Sequence, residues 1–137
     1  MSGVEQARVG AELEPFVVES VDAEKMKIMA AILQDPNPIH FDVDAVRKLG
    51  LGDRPVNQGP INMAYLMNVA TAWAGGPEAL RRFQVRFAGN VFAGDRVECN
   101  GTVTALDPST GIAELELTTK VGDAVVLTGS ATVALRR

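Results

Sequence analysis

The sequence predicts an α+β fold in which a curved antiparallel β-sheet wraps around one long, apolar, central helix. Three observations lead to it. Residues 60–74 carry no charged side chain over fifteen positions, and an uncharged helix of about four turns belongs away from water on most sides. From residue 80 onward the chain reads as strands broken only by turn-forming residues. At 137 residues it has the length of one ordinary domain, so residues 1–137 are expected to share a single core.

Pro15-Phe16-Val17-Val18-Glu19-Ser20-Val21 is rich in β-branched and aromatic types and reads as a strand. Asp22 follows as the N-cap of a helix over 23–34, where Met26, Met29, Ala30 and Leu33 recur at helical spacing. Pro36 and Pro38 end that helix, because proline lacks an amide donor and drives the preceding residue out of the α region. A short helix over 43–49 closes on Gly50, and 51–59 is irregular. Pro60 suits the first turn of the central helix, and Gly75-Gly76-Pro77 stops it. Strands are predicted over 80–88, 95–106, 112–121 and 124–135, separated by Ala93-Gly94-Asp95, Asp107 to Gly111, and Gly122-Asp123. Short connections make the last three an antiparallel meander. Such a sheet removes the helix from solvent by curling around it, or leaves the remainder to a second chain. A homodimer or heterodimer is therefore expected. This architecture is the hot-dog fold.

Composition excludes several classes. With 47% apolar residues, 22% charged residues and a net charge of −4, the chain is globular rather than disordered. Its longest apolar runs, such as 29–33 and 124–127, fall far short of the ~20 residues that span a bilayer. Residues 1–6 show no basic start followed by an apolar stretch, so no secretory leader and a cytoplasmic location are expected. One cysteine, Cys99, and one histidine leave no set of ligands for a His/Cys zinc site, so no metal is expected. Nucleic acid is not an expected partner: the basic pairs Arg47-Lys48, Arg81-Arg82 and Arg136-Arg137 are isolated on an acidic chain.

The chemistry is concentrated in Asp35-Pro36-Asn37-Pro38-Ile39-His40. It holds the only histidine, five residues from an aspartate, on a backbone stiffened by two prolines. Neither helix nor regular strand suits that pattern, so a constrained loop is predicted. Histidine has an unperturbed pKa of about 6.5, near working pH. A carboxylate beside it selects its tautomer or shares a water with it. Asn37, by bonding to its own loop, would orient the turn. The same residue types also initiate turns, and Asp35 reads equally well as an acceptor of loop amides. Residue types alone leave both readings standing.

Asp35-x-Asn37-Pro38-x-His40, with Asp42 after it and Gly50 closing a short helix, resembles the signature of MaoC-like (R)-specific enoyl-CoA hydratases and related acyl-thioester dehydratases. The resemblance continues through Gly59-Pro60-Ile61, Phe83-Gln84-Val85-Arg86-Phe87 and Val91-Phe92-Ala93-Gly94-Asp95, and spans residues 10–135. It implies a hot-dog enzyme of fatty-acid metabolism that needs no cofactor. The implied reaction is syn addition of water to a trans-2-enoyl thioester, giving the (R)-3-hydroxyacyl thioester, or the reverse. Asp35 and His40 would hold one water, whose oxygen adds to C3 while a proton reaches C2. The amide of Gly59, helped by the helix dipole, would stabilise charge on the thioester carbonyl. The acyl carrier would be CoA or acyl carrier protein.

The chain also departs from that family. Many members carry a histidine before the glycine and some a serine later on the helix; here Gln58 precedes Gly59, and no Ser or Thr occurs from Gly59 to Ala70. Gln58, Pro60 and Asn62 are expected at the mouth of the site as substrate contacts, since Asn62 lies four residues after Gln58. Bonds to nearby backbone, or a subunit contact, are the competing role for these amides. Tyr65 and Trp73 share one helical face and are expected in core or interface. Arg54, Arg82 and Arg86 are candidates for a basic carrier entrance. The pair itself is expected at the floor of an apolar tunnel. One alternative function is a structural or half-active subunit of a heteromeric dehydratase, in which retention of Asp35, Asn37 and His40 would make this chain the catalytic one. A hot-dog thioesterase is the weaker alternative, because those enzymes carry a carboxylate in the central helix and residues 60–74 have none.

Overall fold

A computed structural model describes residues 7–135; the leader reading at 1–6 and the terminal Arg136-Arg137 pair lie outside the described residues. In chain order the elements are β1 (Phe16–Val18), α1 (Ala23–Leu33), a 3-10 turn (Pro38–His40), α2 (Val43–Lys48) and α3 (Gly59–Ala74). A second 3-10 turn (Pro77–Ala79) then leads into β2 (Leu80–Phe87), β3 (Val97–Asp107), β4 (Ile112–Val121) and β5 (Ala124–Ala134). The strands form one antiparallel sheet in the order β1-β3-β4-β5-β2. The expected meander is present as β3-β4-β5, and β2 closes one edge by pairing with β5.

β1 is shorter than the predicted strand. Of the predicted strand only Phe16, Val17 and Val18 pair with β3, because Glu19 and Ser20 bend the chain into the Asp22 cap of α1. Val21 stays buried and is held to the start of the sheet by Val21 N–H to Asp95 O at 2.9 Å. Of the predicted inward face of α1, Met26 is fully buried, Met29 and Ala30 are half-buried and Leu33 is exposed, as are Ile28 and Ile32 outside that face.

α3 lies on the concave face of the sheet. Leu66, Val69, Ala70 and Ala74 are buried against Val103, Leu115, Leu117, Leu127 and Ala131. Gly101 on β3 lets the helix sit this close: a Cβ there would stand 3.3 Å from Val69 and 2.8 Å from Leu117. The expectation that α3 is buried on nearly every side is corrected for the single chain. Pro60, Ala64, Asn68 and Ala72 recur every four residues and form an exposed stripe. One curled sheet covers one side of a helix, and the uncovered side carries mostly small residues.

Candidate active site

The helix end and the two prolines build the site locally. Gln34 caps α1 in the left-handed region (φ 52°), and the Asp35 amide donates to Ala30 O at 3.0 Å. The chain then turns on Asn37, whose Oδ1 accepts from the Ile39 amide at 3.3 Å. Pro38 to His40 are not irregular loop as predicted but one 3-10 turn. A turn this short accepts proline in its first position, where no amide donor is needed, and Asn37 caps it.

Asp35 is placed where both readings left open by its residue type are met geometrically. Its Oδ1 accepts the Asn37 amide at 3.0 Å and closes the turn, while its Oδ2 lies 3.2 Å from His40 Nε2. His40 Nδ1 lies 2.6 Å from the Val56 carbonyl. A carbonyl oxygen only accepts, so Nδ1 carries hydrogen and Nε2 is the atom presented to Asp35. Val56 is itself fixed: its amide donates to Ile39 O at 2.9 Å, and it pairs with Phe92. His40 is buried with 7% exposure, and the Asp35 side chain is 32% exposed. One face of the carboxylate therefore remains reachable.

Three residues beyond Val56, at most about 11 Å of chain, α3 begins. Gln58 supplies no side-chain cap, Pro60 has no amide hydrogen, and the Ile61 and Asn62 amides both donate to Gln58 O at 3.1 Å. Among the described residues the Gly59 N–H has no acceptor. It is a free donor at the positive end of a sixteen-residue helix. The φ of Gly59 is not left-handed, and a Cβ there would meet only the Phe87 ring, at 3.5 Å.

The placement of the flanking amides corrects the expected mouth. Gln58 is wholly buried and its Nε2 donates to Met26 O at 2.8 Å, tying α3 to α1. Asn62 is buried and accepts from Asn57 Nδ2 at 2.7 Å. Gln58 is the cap of the helix, with extended backbone (φ −64°, ψ 142°), so helical spacing does not reach it and the two amides point to different partners. Asn57 Oδ1 and Gln58 Oε1 are buried without a partner among the described residues. Pro60 alone of the three expected substrate contacts is exposed. Tyr65 and Trp73 pack against the core, as expected. Burial pushes the Tyr65 phenol up, and the polar Asn57 side chain near it opposes that.

The basic entrance is also redrawn. Arg54 is committed to Ala93 O and Asp95, both at 2.9 Å, with its guanidinium 5.2 Å from the centre of the Phe92 ring. Arg82 donates to Gln84, two residues along the same outward face of β2. Arg86 shares that face, which lies opposite the one that meets α3. The expected tunnel is not closed by this chain alone. An apolar cavity of about 290 Å³ lies between β1 and the C-terminal half of α3, lined by Phe16, Asn68, Val69, Ala72 and Trp73 among others, away from the pair. Among the described residues no cluster of His, Cys, Asp or Glu is arranged to hold a metal ion, and no helix is long and apolar enough to cross a membrane.

Sequence reasoning missed Val56, the anchor of the imidazole. Its contribution is a backbone carbonyl sixteen residues away, which no residue type announces.

A curled antiparallel sheet on one long helix, with an Asp/His pair beside the helix start, defines a hot-dog protein with a polar site at one end. The chain belongs to the MaoC-like domain family, whose model matches residues 5–125. A solved MaoC-like dehydratase superposes with a TM-score of 0.90 at 24% identity, over 98% of this chain; the chain spans 42% of that protein's length. The (R)-hydratase from A. caviae involved in PHA biosynthesis gives 0.85 at 25% identity, covering 96% of this chain and 99% of its own. A chain of the ChsH1–ChsH2 complex from Mycobacterium tuberculosis gives 0.82 at 20% identity, covering 96% and 100%. No curated protein matches in sequence.

Proposed function

We propose that this chain is a cytoplasmic, cofactor-independent (R)-specific hydratase/dehydratase acting on trans-2-enoyl and (R)-3-hydroxyacyl thioesters of CoA or acyl carrier protein. The observation that carries the reading is the locked imidazole: Nδ1 is held on Val56 O, and Nε2 is turned to Asp35 Oδ2 at 3.2 Å. Family membership and the likeness to an (R)-hydratase support the same chemistry. In hydration, a water held by the pair loses a proton to it as the oxygen bonds to C3. The electrons of the double bond move to the thioester oxygen, where the unshared Gly59 amide donates to the developing charge. Protonation of C2 from the same side completes a syn addition and restores the carbonyl. The proton steps belong to the pair, whose two side chains stand 3.2 Å apart, rather than to either residue alone. Asn37 orients the loop that carries both.

The uncovered stripe of α3 and the exposed apolar residues of α1 favour a second statement: the working form is a homodimer or a heterodimer with a related hot-dog chain. The likeness to a chain of the ChsH1–ChsH2 complex supports a paired form. In a heteromer this chain supplies the catalytic pair.

The test follows the loss of enoyl absorbance with crotonyl-CoA and a longer enoyl-CoA. Asp35→Asn and His40→Ala are each expected to lower the rate about 10²- to 10⁴-fold while leaving the fold intact. Undiminished rates in both variants defeat the reading. Release of free thiol would assign thioester hydrolysis instead.

A further inference from the structure

We propose that Phe87 is a substrate-positioning residue, its ring forming the wall that holds a planar enoyl thioester against the Gly59 amide. The inference rests on the hydratase/dehydratase reading above. Phe87 ends β2, an edge strand, and continues the face on which Phe83 and Val85 pack against the core. Those two are partly buried, whereas Phe87 is 52% exposed. Burial in this chain therefore does not account for a large aromatic at this place. Its neighbour does: Cε1 and Cζ both stand 3.5 Å from the position of a Gly59 Cβ, and among the described residues no other side chain outside the adjoining chain reaches within 4 Å of that position. The ring thus stands beside the residue that carries the free N–H.

The ring is also fastened to the catalytic unit. Behind it the Ala88 and Gly89 amides both donate to Val126 O, at 2.8 and 3.1 Å. Further on, Val91 O accepts the Asn57 amide at 2.7 Å, and Phe92 pairs with Val56, the residue that holds His40. Ring, free amide and imidazole thus hang on one short length of backbone, residues 56–59, clamped from both sides. A flat apolar surface matches a conjugated acyl group, whose enoyl and thioester carbons share a plane, and offset stacking favours that shape.

The experiment uses the full chain and two variants, Phe87→Ala and Phe87→Leu. Butyryl-CoA, which cannot be hydrated, is titrated calorimetrically to read binding apart from chemistry, and crotonyl-CoA gives kcat and KM. Phe87→Ala is expected to raise KM and the butyryl-CoA Kd about tenfold, with kcat changed much less. Phe87→Leu is expected to fall between the two proteins. Thermal unfolding and the oligomeric mass are expected to stay unchanged, because the ring is exposed. Unchanged KM and Kd overturn the proposal, and so does a fall in oligomeric mass, which would make the ring a subunit contact. If Phe87→Ala does not fold, the KM of Phe87→Leu decides in the same way. An unaltered protein that neither binds butyryl-CoA nor hydrates crotonyl-CoA defeats the hydratase reading and this inference with it. An active protein with unaffected variants defeats this inference alone.

Discussion

The two ends of α3 are built on opposite rules. Its middle and C-terminal half, Leu66, Val69, Ala70 and Ala74, are apolar, buried and packed on the sheet. Its entry, Asn57, Gln58, Gly59 and Asn62, buries three amide side chains, leaves two amide oxygens without a partner and keeps a backbone donor free. A helix entry optimised for stability would carry a Ser, Thr or Asp cap and no unmatched buried oxygen. Each such oxygen costs about 1–3 kcal/mol, so this end of the helix is not built for stability alone. One end of the helix builds the core, and the other lies beside the candidate site.

That contrast can be broken by mutation. Leu66→Ala, in the packed half, is expected to lower stability by about 3–4 kcal/mol in denaturant unfolding while the folded fraction keeps its activity. A larger loss of specific activity than of stability would show that the core and the site are not separable. Gln58→Ala, at the entry, is expected to lower stability by about 1–3 kcal/mol, because the buried Met26 carbonyl loses its donor. Substrate KM should be little affected, since the wholly buried amide reaches α1 rather than the mouth. A KM effect without a stability effect would restore Gln58 to the mouth.

The smallest effect concerns alkaline pH. Burial pushes the Cys99 thiol up from 9.0, with the Thr119 hydrogen bond opposing it, and burial likewise pushes the Tyr65 phenol up from 10.0. Both groups are therefore neutral in the folded chain at pH values where the unfolded chain starts to lose their protons. Their contribution is present below pH 9 and is lost as pH rises through the raised values. Urea midpoints should fall as pH rises past 9, and Cys99→Ala with Tyr65→Phe should flatten that fall. An equally steep fall in the double variant would move the cause elsewhere.

Much of this contrast is legible in residue order, and some is not. The uncharged run from Pro60 to Ala74 announces a central helix, and the turn residues after it announce the meander. Two prolines around Asn37 mark a rigid turn with an aspartate and a histidine at its ends, and the coordinates bring those two side chains within 3.2 Å. Three placements read differently once folded. Pro38 starts a helical turn rather than excluding one, because only three residues are asked to be helical. Gln58 and Asn62 diverge because the cap of a helix does not follow helical spacing. The predicted inward face of α1 is only partly realised, with Met26 buried, Met29 and Ala30 half-buried and Leu33 exposed, because little besides the Pro38–His40 turn and the α3 entry lies against it.

Residue order by itself determined the main elements and their antiparallel meander, and set Asp35 and His40 at the two ends of one rigid turn. These depend on local stereochemistry: proline geometry, hydrophobic period and turn residues act over a few positions. Only the folded chain decided which imidazole nitrogen faces the carboxylate, which amide of α3 is left free, and which aromatic ring stands over it. Those are set by backbone atoms of Val56, Gly59 and Val91 meeting across the molecule. Every residue carries the same carbonyl and nearly every one the same amide, so the sequence has no letter for them.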